Sequence, residues 1–289
     1  MKQSACKGIQ FGRRRRMKHV AKIVCLSLFA ILILSPGFVR AQQAAFEVDN
    51  APTTIGLLIG AAPDYLGSKY YKGVAAPFLK YTLPGTYQYL LLRGTELSIN
   101  VVNHPVFRFG PVINYRPARA HVEQDQVDRM TKIDAALEGG AWAGLEFIDR
   151  RNPRQRLLFT LQWTGDMSGV YNGWLVTGAA RGWYSLAKQW DIGLTISSTY
   201  GDSAYTSKYF GVDLVDAIQA PLPRYTASAG FRDVSATPAI VYHVNPNWSI
   251  AGGVRYMRLL GDAANSPIVD NVGSKDQVIV GAGVLYHWK

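Results

Sequence analysis

The sequence predicts an all-β fold: a transmembrane antiparallel β-barrel of about 12 strands over residues 54–289, with 10 and 14 strands left open. Three observations carry this reading. Short segments alternate apolar and polar residues, the chain opens on an export signal, and past that signal no apolar run reaches the roughly twenty residues that a membrane helix needs.

The export signal comes first. Residues 1–41 hold nine basic residues (Lys2, Lys7, Arg13, Arg14, Arg15, Arg16, Lys18, Lys22 and Arg40) and no acidic one. An apolar run over 23–34 follows, and Val39-Arg40-Ala41 ends in the small residue that a signal peptidase needs. A secretory signal peptide cleaved after Ala41 is therefore expected, with 42–53 a short periplasmic segment. The rival is a transmembrane anchor, but about twelve apolar residues are too few to cross a bilayer core. Met17 is an alternative start, because Lys18 and Lys22 alone make an adequate basic lead. Arg13 to Arg16 invite a twin-arginine reading, a route that carries folded cargo, and nothing downstream resembles a cofactor protein.

Removing this segment changes the charge argument. Taking its nine from the chain's 31 basic residues leaves 22 against 20 acidic ones, so the net charge falls from +11 to +2. The basic excess is a targeting signal, and no nucleic-acid partner is implied. Cys6 and Cys25, the only cysteines, leave with it, which excludes a disulfide scaffold, a thiolate metal site and a catalytic cysteine. Cys25 lies early in the apolar run instead of after it, so a lipoprotein anchor does not fit. All 7 Trp and all 16 Tyr remain.

Strands are predicted at 54–62, 72–82, 87–93, 95–102, 106–116, 133–148, 155–165, 173–186, 190–200, 236–244, 248–259 and 277–288. Side chains on a strand point to opposite faces with period two, so each face reports its own solvent. In 190–200, Trp190, Ile192, Leu194 and Ile196 alternate with Asp191, Gly193, Thr195 and Ser197. Phe107, Phe109, Ile113 and Tyr115 oppose Arg108, Asn114 and Arg116; Leu157, Phe159, Leu161 and Trp163 oppose Arg156, Thr160 and Gln162. In 133–148, Ile133, Ala135, Leu137, Leu145 and Phe147 oppose Asp134, Glu138 and Glu146. Charge is confined to one face because a charged side chain in lipid costs about 2–4 kcal/mol near the midplane. In the last strand Val278, Val280, Ala282, Val284, Tyr286 and Trp288 form the apolar stripe.

Loop lengths supply an independent test. Long connections at 63–71, 117–132, 201–235 and 260–276 alternate with short ones at 83–86, 149–154, 187–189 and 245–247, as expected of barrels with long outer loops and short periplasmic turns. The alternation breaks at Arg93-Gly94, where a tight hairpin is required to keep the strand number even. Closure follows from the cost of leaving edge backbone groups unpaired in lipid, several kcal/mol each. Aromatics at strand ends (Tyr81, Tyr115, Trp163, Trp190, Tyr200, Trp248, Tyr256, Tyr286 and Trp288) read as interfacial girdles. The alternative is core packing in a soluble β protein, whose interior would have to bury the polar stripe.

Several blocks carry a resemblance. Ala62-Pro63-Asp64-Tyr65-Leu66-Gly67-Ser68, Gly110-Pro111-Val112-Ile113-Asn114-Tyr115-Arg116 and Asp134-Ala135-Ala136-Leu137-Glu138-Gly139-Gly140 resemble the MipA/OmpV family. Thr199-Tyr200-Gly201-Asp202, Tyr209-Phe210-Gly211-Val212 and the long block from Arg258 to Val269 do so as well. The resemblance implies an outer-membrane barrel, for the founding member a scaffold that engages a lytic transglycosylase and a peptidoglycan synthase. Relatives are linked to adhesion, osmotic response and antibiotic uptake. One departure is that Lys289 follows the terminal aromatic Trp288.

No catalytic, cofactor or metal residue is assigned. His104 falls in a short turn, His121 in a long loop, and His243 and His287 near strand ends, all four read as isolated polar histidines. Asp262, Asp270, Asn265 and Asn271 offer oxygens to a cation, but their spacing fits no EF-hand and reads as turn chemistry. Gly139-Gly140 and Gly252-Gly253 lie inside strand patterns and mark bends, not phosphate loops. Arg108, Arg116, Asp134, Glu138, Glu146, Arg156, Arg181, Asp191 and Arg255 are expected to face the lumen. Such mixed charge either cross-links into a plug or lines a narrow pore. The functional expectation is a non-enzymatic scaffold in outer-membrane lipid, the alternative a narrow channel for small polar solutes.

Overall fold

The computed structural model describes residues 53–288. The expected signal peptide, its cleavage after Ala41, the segment before Thr53 and Lys289 lie outside the described residues.

The strands are β1 (Thr53–Pro63), β2 (Tyr71–Thr82), β3 (Tyr89–Arg93), β4 (Glu96–Asn100), β5 (Phe107–Arg116) and β6 (Ala136–Ile148). β7 (Arg156–Asp166), β8 (Trp174–Ser185), β9 (Trp190–Gly201), β10 (Gly230–His243), β11 (Trp248–Leu259) and β12 (Asp276–His287) complete the set. Each strand pairs antiparallel with its sequence neighbours, and β1 pairs with β12 from Thr54↔His287 to Ala61↔Val280, closing the barrel. Closure pairs the ladder with itself, which is the only way a sheet can lie in hydrocarbon.

The two-residue period sorts the faces as predicted. Phe107, Phe109, Ile113, Leu157, Phe159, Leu161, Leu194 and Ile196 are exposed outward, whereas Arg108, Glu138, Glu146 and Asp191 are buried inside. Aromatics gather in two belts. Trp190 packs on Tyr242 with centroids 4.6 Å apart and Trp248 on Tyr286 at 4.9 Å at the short-turn end. At the long-loop end Trp174 stacks on Tyr200, which meets Phe231 edge to face. Each aromatic pair contributes about 0.5–1.5 kcal/mol beyond burial.

The tight hairpin between β3 and β4 is present. Gly94 turns the chain with φ +58°, and its N–H donates to the Pro77 carbonyl at 2.8 Å. Two strand starts differ from expectation. β6 begins at Ala136, because Ile133 pairs in an isolated bridge with Arg119 and packs into the loops. Asp134 is therefore an exposed loop residue, which corrects its expected place in the lumen. β10 begins at Gly230, and a bulge between Phe231 and Asp233 turns the adjacent Arg232 and Asp233 both inward.

The long loops all emerge at one end and fold together over the barrel mouth. Five short helices form there: α1 (Asp125–Arg129), α2 (Ser203–Phe210), α3 (Leu214–Gln219), α4 (Gly261–Asn265) and α5 (Pro267–Asp270). Asp202 caps α2 by accepting from the Tyr205 N–H, and Asp213 caps α3 by accepting from that of Asp216. Such a cap is worth about 1 kcal/mol. The cap has its own apolar core, with Tyr205, Phe210, Met130, Ile268 and Val269 nearly inaccessible. The loop expected at 201–235 thus shortens to 202–229 and, of the two courses open to it, capping the barrel or folding inward, takes the first. The last long loop carries α4 and α5 where simple turn chemistry was expected.

Candidate functional site

Charged and polar side chains fill the lumen in layers. At the short-turn end Arg108, only 1% exposed, donates from Nε to Glu146 Oε2 at 2.8 Å, and Arg156 Nη1 reaches Glu146 Oε1 at 3.3 Å. Arg108 also donates to the carbonyls of His104 and Phe107. A carboxylate shared by two guanidiniums is how a buried charge avoids being left uncompensated.

Beside it a second network runs around the wall. Asp191 Oδ2 lies 2.7 Å from His243 Nε2, His243 Nδ1 lies 2.8 Å from Ser249 Oγ, and Ser249 Oγ lies 2.8 Å from His287 Nε2. His287 Nδ1 then meets Thr54 Oγ1 at 2.9 Å. His243 and His287 are therefore not isolated, a correction to the sequence reading, because the barrel register places strands of distant residues side by side. The carboxylate, imidazole and hydroxyl match a hydrolase triad in composition only. The Ser249 hydroxyl is 0% exposed and is held between two rings, so the network ties β9, β10, β11, β12 and β1 together. His104 instead accepts two turn N–H groups at Nδ1, and His121 takes a left-handed backbone in the β5–β6 loop.

In the middle layer Arg93 pairs with Glu96 at 2.5 Å, and Gln162 of β7 donates to Glu96 of β4, past the two intervening strands, at 2.9 Å. Arg255 Nη2 reaches Ser235 Oγ at 3.2 Å. Arg181 is half-buried nearby.

The upper layer lies directly under the cap. Glu138, 1% exposed, accepts from Arg116 Nε at 2.6 Å, Asn114 Nδ2 at 2.7 Å and Tyr171 Oη at 2.8 Å. Arg232 pairs with Asp233 at 2.6 Å and donates to Tyr205 Oη at 2.8 Å. The Arg116 guanidinium lies 5.1 Å from the Tyr205 ring and 5.4 Å from that of Tyr209, a cation–π arrangement. Burial, reinforced by the Glu138 charge, pushes the Tyr171 phenol well above its usual range, so it remains a donor.

Eight of the nine charges expected inside are there; Asp134 is the exception. Lys80, Arg93, Glu96, Arg232 and Asp233 were missed. Arg93 and Glu96 follow from strand parity once the hairpin is placed, but the bulge hides Arg232 and Asp233. Asp262 is occupied by the Ser228 N–H and Asp270 by Lys275. Among the described residues no group of three or more His, Cys, Asp or Glu is placed to hold a metal. Gly140 marks a close approach, where a Cβ would stand 1.9 Å from the Trp163 carbonyl oxygen.

The blocks that carry the family resemblance converge on the capped end: the β1–β2 loop, the upper parts of β5 and β6, the top of β9, and the loop after β11. A closed, lipid-faced barrel with aromatic belts, a charge-filled lumen and an outer cap is an integral outer-membrane β-barrel protein. The chain belongs to the MipA family: the family model described as MltA-interacting protein MipA matches residues 55–288. Outer membrane protein OmpV of Vibrio cholerae is 39% identical over 90 residues, covering 31% of this chain and 33% of that protein. Outer membrane protein Omp26La of Vibrio anguillarum is 37% identical over 90 residues with the same coverage. The match thus spans about a third of the length of these relatives. An outer membrane channel of Pseudomonas putida F1 aligns with TM-score 0.43 and 12% identity, over 83% of this chain and 98% of that one. The KdgM porin aligns with TM-score 0.39 and 9% identity, over 82% and 99%.

Proposed function

We propose that this protein is a non-enzymatic outer-membrane scaffold whose periplasmic turns engage cell-envelope partners, a lytic transglycosylase and a peptidoglycan synthase among them. The observation that carries this reading is the packed apolar cap over the barrel mouth, with Phe210 and Ile268 fully buried where a conducting pore would need water. The name of the family, MltA-interacting protein, supports the first partner. The periplasmic face supports engagement of an acidic surface. The β6–β7 turn presents Arg150 and Arg151 against Asp149, Arg154 being paired with Asp191 at 3.2 Å, and the β8–β9 turn adds Lys188. Arg154 fixes the two turns together by donating to the Ala187 and Lys188 carbonyls at 3.3 and 3.0 Å. Co-purification from crosslinked envelopes tests the proposal. A lytic transglycosylase enriched with the wild type and lost with Arg150→Glu/Arg151→Glu/Lys188→Glu is expected; recovery of no peptidoglycan enzyme above background sinks it.

A narrow channel for small polar solutes is the second reading, favoured by the half-buried Arg181, Thr177, Thr195 and Gln162 in the middle layer. Planar-bilayer recording separates the two, because discrete conductance steps that change when Glu138 is neutralised support the pore and a silent membrane removes it. The export reading adds one more proposal, cleavage after Ala41, for which N-terminal sequencing of outer-membrane material should begin at Gln42.

A further inference from the structure

Between the β5–β6 and β9–β10 loops the outer surface of the cap opens into a cleft of about 300 Å³. At its base lies Arg119, 8% exposed and fixed by backbone bonds to Ile133 in both directions. Its guanidinium donates from Nη1 to the Tyr209 carbonyl at 2.9 Å, and among the described residues it makes no ion pair. Burial pulls its pKa below the usual arginine range, against the opposing influence of Tyr65, Asp216 and Tyr209.

The rest of the cleft is largely polar. Lys208 and Arg224 add two exposed cations; the hydroxyls of Ser207, Thr131 and Tyr225 donate to the Ala227 carbonyl, Asp216 Oδ1 and the Asp262 carbonyl and keep their acceptor lone pairs, and Thr226 adds a fourth hydroxyl. Two carboxylates also line it, and both already serve the backbone. Asp213 Oδ1 caps α3, and Asp216 Oδ1 accepts from the N–H and hydroxyl of Thr131 at 2.7 and 2.8 Å. Three cations against two carboxylates leave a positive cleft with a buried planar fork at its floor. Arginine forks match oxyanions in two-point geometry, and clustered hydroxyls match a polyol.

We propose that this cleft binds the phosphate monoester of a sugar, with Arg119 gripping the phosphate and Lys208 and Arg224 closing over it. A phosphorylated glycolipid of the same leaflet and a free phosphosugar both present this group. The site is independent of whether the lumen conducts.

Calorimetric titration of the detergent-refolded full chain tests it, with glucose 6-phosphate and glucose as probes. Saturable binding of glucose 6-phosphate and none of glucose is expected. Arg119→Met should weaken it at least about tenfold, and Arg119→Lys, which keeps the charge but not the fork, should weaken it by less. Because Arg119 also holds the cap, Lys208→Gln/Arg224→Gln provides a second test at exposed positions and should weaken binding several-fold with folding intact. Displacement of glucose 6-phosphate by intact lipopolysaccharide, but not by its dephosphorylated form, assigns the phosphate to the membrane; no displacement by either assigns it to a free solute. Glucose and glucose 6-phosphate giving the same heats, or Arg119→Met and Lys208→Gln/Arg224→Gln both binding like the wild type, overturns the proposal.

Discussion

Arg116→Met isolates the energetics of the layer under the cap. Glu138 then keeps its bonds from Asn114 and Tyr171 but loses its cation, at a depth where it is 1% exposed. Breaking one side of a buried ion pair costs about 3–5 kcal/mol, because the remaining charge is stranded. Loss of the cation–π stacking on Tyr205 and Tyr209 adds roughly 0.5–2 kcal/mol. For a domain of this size each kcal/mol moves the melting point by about 2–4 °C, so a fall of roughly 7–28 °C is expected. The double variant Arg116→Met/Glu138→Gln removes both charges and leaves the amide to accept from Tyr171, so most of the ion-pair loss should return. Urea titration of the refolded protein in lipid vesicles, read by the fast-migrating unboiled gel band, measures all three. A single variant within about 1 kcal/mol of the wild type, or a double variant no better than the single, refutes the reasoning.

Three further outcomes follow from the same structure. Ser249→Ala cuts the link between His243 and His287 and should lower stability by about 1–3 kcal/mol in the same titration; an unchanged midpoint shows that the network contributes nothing. Gly140→Ala should abolish the folded band, since its Cβ would meet the Trp163 carbonyl at 1.9 Å, whereas Gly178→Ala, with nothing within 4 Å, should fold normally. Asp128, hydrogen-bonded by Lys132, has its carboxyl held below the usual 3.8, so its stabilisation of the Val122 N–H is present above that value and lost as pH falls through the lower folded one. An amide shift of Val122 that titrates at or above 3.8 removes that hydrogen bond from the account.

The barrel was legible because lipid imposes a strict rule on one face of every strand, and from β5 to β12 the charges obey it except Arg258 and Asp276, which pair on the outer face at the long-loop end. Rows were not legible. A period of two says which face Ser249 and His287 share but not which residues stand level, and that register alone brings Asp191, His243, Ser249, His287 and Thr54 into one chain. Arg232 and Asp233 escaped for a different reason: an alternation search discards two adjacent inward residues, and only the bulge makes them possible. Asp134 failed because strand parity was carried two residues past the true start of β6. The cap was invisible because its core draws single residues such as Tyr65, Tyr171, Phe210 and Ile268 from separate loops, none with a period of its own.

The lumen networks also explain why a barrel would keep charges where apolar residues would cost less free energy to bury. Outside, every lipid-facing stripe is much like the next, so a strand shifted by two residues keeps the same face toward hydrocarbon and loses little. Inside, a two-residue shift of β5 against β6 that lengthens their diagonals separates Arg108 from Glu146 and Arg116 from Glu138 together, and a shift of β10 against β11 separates His243 from the level Ser249. Separating a single pair strands a buried charge, so several networks together exclude the shifted registers that packing alone would tolerate. The polar interior thereby serves as a register device whether or not it also conducts.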